Sequence, residues 1–174
     1  MTKKDKFKST RKGNFLENLP TISIENPSDH LTELCKFNFH YMDFSQEAGQ
    51  TFKDWSHDRL YKLQDKLKEF CAFPLKHWTT VKMGGGGKKS KKKKQNVLEI
   101  YGNFPTNTDF VHPKAVPHEV QWARFRLGSE ARLIGFVLPI EFCHEVHKGT
   151  KINFDCNTFY VVFLDKDHRF YKTE

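Results

Sequence analysis

Six side chains near the C-terminal end have the types that handle phosphate. They are Arg124, Arg126 and Arg132, then His168, Arg169 and Tyr171. A guanidinium is planar, stays protonated, and presents a fork of donors that fits the oxygens of a phosphate. His168 is the member of the group whose ordinary pKa suits proton transfer near neutrality. Convergence of these residues on one face calls for a polyanion, or leaves a merely solvated face.

Their placement rests on three apolar runs. Trp122-Ala-Arg-Phe-Arg-Leu127 alternates, with Ala123, Phe125 and Leu127 on one side and Trp122, Arg124 and Arg126 on the other, the period of a strand. Ala131-Arg-Leu-Ile-Gly-Phe-Val-Leu138 and Thr158-Phe-Tyr-Val-Val-Phe-Leu164 are nearly continuous in aliphatic and aromatic residues, as in strands covered on both faces. Gly128-Ser129-Glu130 has hairpin length, so the first two strands pair antiparallel and bring Arg124, Arg126 and Arg132 together. The third strand delivers His168, Arg169 and Tyr171 from its end.

Upstream, Leu60, Leu63, Leu67 and Phe70 form one stripe at helical spacing, which predicts a helix over 55–71 capped by Asp54 or Ser56 and ended by Pro74. Its expected partners on the sheet are Phe125, Leu133, Val161 and Phe163. Alternation in Lys36-Phe-Asn-Phe-His-Tyr-Met-Asp-Phe44 predicts an earlier strand, and Val97-Leu-Glu-Ile-Tyr101 a short one. The expected fold is α+β: a small antiparallel sheet with one or two helices packed on one face, an N-terminal extension and a basic loop insertion.

With 174 residues, seventeen of them Phe, the chain is expected to fold as one domain over residues 13–174. The net charge of +8 is unevenly spread. Residues 1–12 hold six Lys or Arg against one Asp, and Lys88, Lys89, Lys91, Lys92, Lys93 and Lys94 follow the four glycines 84–87. Those stretches carry +11 against a total of +8, which leaves the rest of the chain at −3. A basic arm at 1–12 and a flexible Gly/Lys loop at 84–95 are the expected forms, and flexible cationic segments suit a nucleic-acid backbone. The glycine run lacks the spacing and the strand-to-helix context of a phosphate-binding P-loop.

No apolar run approaches a membrane span and no secretory segment opens the chain, so no membrane partner is expected and a cytoplasmic location is. Four Cys are too few for a disulfide scaffold, and Cys35, Cys71, Cys143 and Cys156 are expected as reduced thiols. Cys143, His144, His147 and Cys156 could build part of a zinc site, but neither Cys-x2-Cys nor His-x3-His is present, so exposed loop polarity is preferred and no metal or cofactor is expected.

The order strand, helix, then a terminal antiparallel sheet studded with basic residues resembles the RelE-type toxins of bacterial toxin–antitoxin systems, small ribosome-dependent mRNA endonucleases. Three patterns carry the likeness: Phe39-His-Tyr-Met-Asp-Phe44 followed by Trp55; Arg124-Phe-Arg-Leu-Gly-Ser-Glu-Ala-Arg132-Leu-Ile; and Val161-Val-Phe-Leu with His168-Arg-Phe-Tyr171. They span residues 36–78 and 119–172. The N-terminal extension, the 79–118 insertion, the 139–157 loop, and Arg at 124 and 126 where Lys is usual depart from the family. The resemblance implies that Arg124 and Arg126 hold the scissile phosphate and that Arg132 and Arg169 stabilise charge as the RNA 2′-oxygen attacks. It further implies that Tyr171 stacks on or orients a base, that no cofactor is needed, and that the partners are RNA, the ribosome and a cognate antitoxin. Because RNA brings its own nucleophile, charge stabilisation and proton transfer are the chief requirements. Two other readings stay open: a non-catalytic nucleic-acid-binding or protein-interaction module, and a gyrase inhibitor of the related ParE type.

Overall fold

A computed structural model describes residues 24–25, 31–83, 95–128 and 131–172. By its contacts the chain divides between Thr32 and Glu33, and every described strand and helix belongs to the second unit. The expected arm at 1–12 and the lysines at 88–94 lie outside the described residues.

The unit is α+β. Among the described residues seven strands are formed: β1 (Lys36–Asn38), β2 (Lys82–Met83), β3 (Gln95–Asn96), β4 (Leu98–Gly102), β5 (Gln121–Arg126), β6 (Arg132–Val137) and β7 (Thr158–Asp165). Helix α1 runs His57–Phe70 and a single turn, α2, Leu75–Trp78. The main sheet has the order β1-β7-β6-β5-β4, and β2 pairs with β3 in a separate ladder. β4 through β7 are antiparallel neighbours, but β1 lies parallel to β7, so the sheet is mixed rather than antiparallel throughout.

The helical stripe reads as expected. Leu63 and Phe70 are buried and Leu60 and Leu67 pack against the same core, which also holds Phe125, Leu133 and Val161. Phe70 stacks on Phe125 with ring centroids 4.6 Å apart, and Trp78 of α2 donates its indole N–H to the Phe70 carbonyl at 2.8 Å. The N-cap of α1 is Ser56, which makes no side-chain capping bond; Asp54 instead closes a capping box with Thr51 on the preceding 3₁₀ turn. Among the described residues no helix is long and apolar enough to cross a membrane.

Three further expectations need correction. The strand expected over 36–44 stops at Asn38, because the Asn38 side chain accepts the His40 N–H at 2.9 Å and turns the chain. That turn carries Tyr41 to the opposite side of the sheet, edge-on to Phe136 and Tyr160. Phe163, expected under the helix, also lies on the opposite side, in a second core with Trp122, Ile134, Phe136, Val162 and Phe170. The reason is a bulge: β6 pairs Gly135 with Val161 but Ile134 with Phe163, so Val162 is an extra residue and the inward–outward alternation of β7 shifts by one. Finally, Cys143 and Cys156 are not reduced thiols but a disulfide, Cα atoms 5.3 Å apart, closing the loop between β6 and β7. Cys35 and Cys71 are free; burial, with a smaller contribution from Cys71, pushes the Cys35 thiol up to about 12.

Gly135 on β6 leaves no room for a side chain against β7. A Cβ there would lie 2.0 Å from the Tyr160 carbonyl oxygen and 2.9 Å from a ring carbon of Phe159. Gly135→Ala is therefore expected to cost at least about 3 kcal/mol in urea unfolding, since backbone must shift to admit it. Leu63→Ala should cost about 2–5 kcal/mol as a buried leucine truncation. A loss below about half a kcal/mol at Leu63, the level of an ordinary surface change, would remove α1 from the core.

Candidate functional site

The three strand arginines do meet. In the register of β5 and β6, Arg126 stands directly opposite Arg132, and Arg132 in turn faces Asp165 on β7. On the other flank Arg124 faces Glu99 on β4. Side chains of like parity share a face, so Glu99, Arg124, Arg126, Arg132 and Asp165 form a polar end to the side of the sheet that carries the Trp122 core.

One carboxylate oxygen organises the first pair. Glu99 Oε2 accepts from Arg124 Nη2 at 2.7 Å and Nε at 3.2 Å, and from Arg126 Nη2 at 3.1 Å. Arg126 Nε donates to the Asn96 carbonyl at 3.1 Å. Arg132 Nη1 donates to the carbonyls of Gly128 at 3.1 Å and Ala131 at 2.8 Å. Among the described residues, Arg132 Nε and the Tyr101 hydroxyl are buried with no hydrogen-bond partner.

The electrostatics reflect burial and like charges in adjacent positions. Burial, reinforced by Arg126 and Arg124, pushes the Arg132 guanidinium down to about 10, with Asp165 and Tyr101 opposing. Arg126 is lowered by burial and by Arg124, and Glu99 offsets part of that. Burial alone would raise the Glu99 carboxyl, but its hydrogen bonds and charge pairs with Arg124 and Arg126 together outweigh it and hold the group below the ordinary carboxylate value.

Asp165, 1% exposed, is committed to the chain beyond it. Its Oδ1 accepts the N–H groups of Asp167 (3.2 Å) and Arg169 (3.0 Å), and Oδ2 accepts that of Phe170 (3.0 Å). This seats Phe170 in the aromatic core and sets Tyr171 on Tyr101, rings 4.9 Å apart and 4° from parallel. The Arg124 guanidinium carbon lies 5.2 Å from the Tyr101 ring centroid, within cation–π range. Burial pushes the Tyr101 phenol up. Tyr171 thereby joins the arginine row through a residue of β4.

The other two expected members sit differently. Arg169 donates Nε to Asp109 at 3.0 Å, and Lys172 pairs with the same carboxylate. That clasp ties the C-terminal turn to the connection between β4 and β5. His168 is exposed and adopts a left-handed backbone, φ 60°. Of the residues in the metal alternative, Cys143 and Cys156 are bonded to each other and the His147 ring nitrogen engages Thr150 at 3.0 Å; no group of three or more His, Cys, Asp or Glu placed to hold a metal ion occurs among the described residues.

Glu99, Tyr101, Asp109 and Asp165 were not singled out from sequence. Glu99 and Tyr101 had a signal, their shared parity in Leu98-Glu-Ile-Tyr101. Asp165 had none, since the alternation of β7 without its bulge points it to the helix side.

The chain matches no protein-family model, and neither a curated protein nor a solved structure matches it.

Two outcomes test this geometry. Asp165→Asn places an amide against three N–H donors and deprives Arg132 of a facing charge, so it should cost roughly 2–4 kcal/mol in urea unfolding. The Glu99 pairing stabilises the fold above the ordinary carboxylate pKa, and its contribution fades as pH falls through the lowered value of the folded state. In carbon-13 NMR titration Glu99 should therefore protonate below the ordinary glutamate range. Arg124→Gln with Arg126→Gln should move it above that range, because burial is what then remains.

Proposed function

We propose that the arginine row binds the backbone of RNA, and that the protein is an mRNA endoribonuclease of the RelE type cutting through the RNA 2′-hydroxyl. The observation that supports this reading most is the charge balance of the row. Three guanidiniums share one sheet face with two carboxylates, and one of those, Asp165, is already accepting three backbone N–H groups. A phosphodiester supplies the missing negative charge and acceptors in the form arginine binds best. Arg124 and Arg126 hold the phosphate, Arg132 stabilises charge gathering on it in the transition state, and Tyr171 offers a ring to a base. His168 moves the proton. The ribosome as the setting, an antitoxin as the partner and the cytoplasm as the location belong to the same proposal, and there the Cys143–Cys156 bond would meet reducing conditions.

A second reading, RNA binding without cleavage, is favoured by two observations. Arg169 is engaged by Asp109. Glu99 is held ionised by its arginines and Tyr101 is kept protonated by burial, so neither exchanges a proton near neutrality.

Single-turnover assays on end-labelled single-stranded RNA, and on the same strand with 2′-O-methyl riboses, separate the two. A nuclease should cut the first and bind but not cut the second. Arg132→Ala should lower the rate at saturating protein about 10²–10³-fold, as loss of a transition-state contact does, whereas Arg124→Ala should be largely rescued by more protein. Binding with no cleavage, on free RNA or translating ribosomes, would leave the second reading. No binding to either strand would end both.

A further inference from the structure

Glu99 stands where a bound anion would stand. Arg124 and Arg126, two apart on one strand, aim their guanidiniums at a single point, the Oε2 atom of Glu99. An anionic oxygen shared by two guanidiniums is also what a non-bridging phosphate oxygen provides. The residues differ in how firmly they are held. The two arginine side chains are only 13% and 7% exposed, while Glu99 is 38% exposed. Glu99 also sits on β4, the last strand of the sheet order among the described residues. Neither arginine depends on Glu99 alone. Arg126 keeps its bond to the Asn96 carbonyl, and Arg124 keeps its place at the Tyr101 ring. The carboxylate can swing outward and leave the pair formed behind it.

We propose that Glu99 is an internal competitor for the anion site: a phosphodiester of the bound strand replaces its carboxylate between Arg124 and Arg126, and Glu99 thereby selects polyanionic ligands over isolated phosphates. This rests on the reading that the arginine row binds RNA. The selection arises from the charges. A lone phosphate must displace a carboxylate already tethered beside its arginines, and gains no further contact in return. A strand brings neighbouring phosphates, and each one neutralised by the protein adds released counterions. Glu99 is thus a specificity-determining residue that touches the substrate's site without taking part in bond-making.

The test compares the full-length wild type with Glu99→Gln, using a fluorescent single-stranded RNA across a salt series and inorganic phosphate as competitor. Glu99→Gln keeps the size of the side chain and removes its charge. It should bind RNA at least about threefold more tightly near 0.15 M salt and steepen the log–log salt dependence by up to about 0.7, the share of one phosphate on a single strand. Inorganic phosphate should compete better against the variant than against wild type. If Glu99 instead only orients the arginines, Glu99→Gln will bind RNA equally or less tightly with an unchanged melting temperature, which overturns the proposal.

A measurement on the wild-type protein covers the case of a variant that does not fold. RNA binding should move the Glu99 carboxyl titration up, because its arginines are then occupied, and an unmoved titration in the RNA complex overturns the proposal. Failure of the underlying reading looks different: RNA affinity would be indifferent to Arg124→Gln and Arg126→Gln, which sinks the arginine site and this inference with it.

Discussion

One extra residue in one strand decides the geometry of the charged end of this molecule. Val162 has no partner of its own in the β6–β7 ladder, and the shift it causes puts Asp165 on the same face as Arg132. Without that bulge, the alternation of β7 would send the carboxylate into the helix-covered core, where a charge has no partner. On its actual side Asp165 gathers the backbone N–H groups of residues 167, 169 and 170. Phe170 is then held within the aromatic core, Tyr171 falls on Tyr101, and Tyr101 meets Arg124. A local irregularity in pairing thus reaches, through a buried carboxylate, Arg132, Tyr171, Tyr101 and Arg124.

The two sides of the sheet are built for different ends. The side under α1 is a conventional apolar core, with Leu63 and Phe70 of the helix against Phe125, Leu133 and Val161. The other side is covered by the connections, through Phe104, Phe110, Val116 and Val120, around Trp122, Phe136 and Phe163. Aromatic rings dominate there, which lets a side that no described helix covers bury large surfaces and still place polar edges at its margin. The arginine row occupies that margin. Its cations are partly buried and mutually repelling, and Glu99 and Asp165 make the arrangement tolerable by answering them at either end.

The Cys143–Cys156 disulfide and the Asp109 clasp act on the connections rather than on the sheet. The first closes the β6–β7 loop, and the second joins the β4–β5 connection to the C-terminal turn through Arg169 and Lys172. Arg169 has a positioning part in this arrangement, anchoring the segment from which Tyr171 projects.

By itself the sequence determined the features that local period and short connections dictate. The stripe of Leu60, Leu63, Leu67 and Phe70 specified a helix and its buried side. The alternation from Trp122 to Leu127 and the short link to Ala131 specified a hairpin, and hence the meeting of Arg124, Arg126 and Arg132. Each of these depends on residues a few positions apart, where the geometry of helix and strand leaves little freedom. The tertiary structure alone decided which residues answer those arginines. Glu99 reaches Arg124 from 25 positions away and Arg169 reaches Asp109 from 60 away, by cross-strand and cross-loop contacts that no local period encodes. The bulge at Val162 belongs to the same class. Which side of the sheet Asp165 and Phe163 face depends on how β7 registers against β6, and register is a property of the pair of strands rather than of either one.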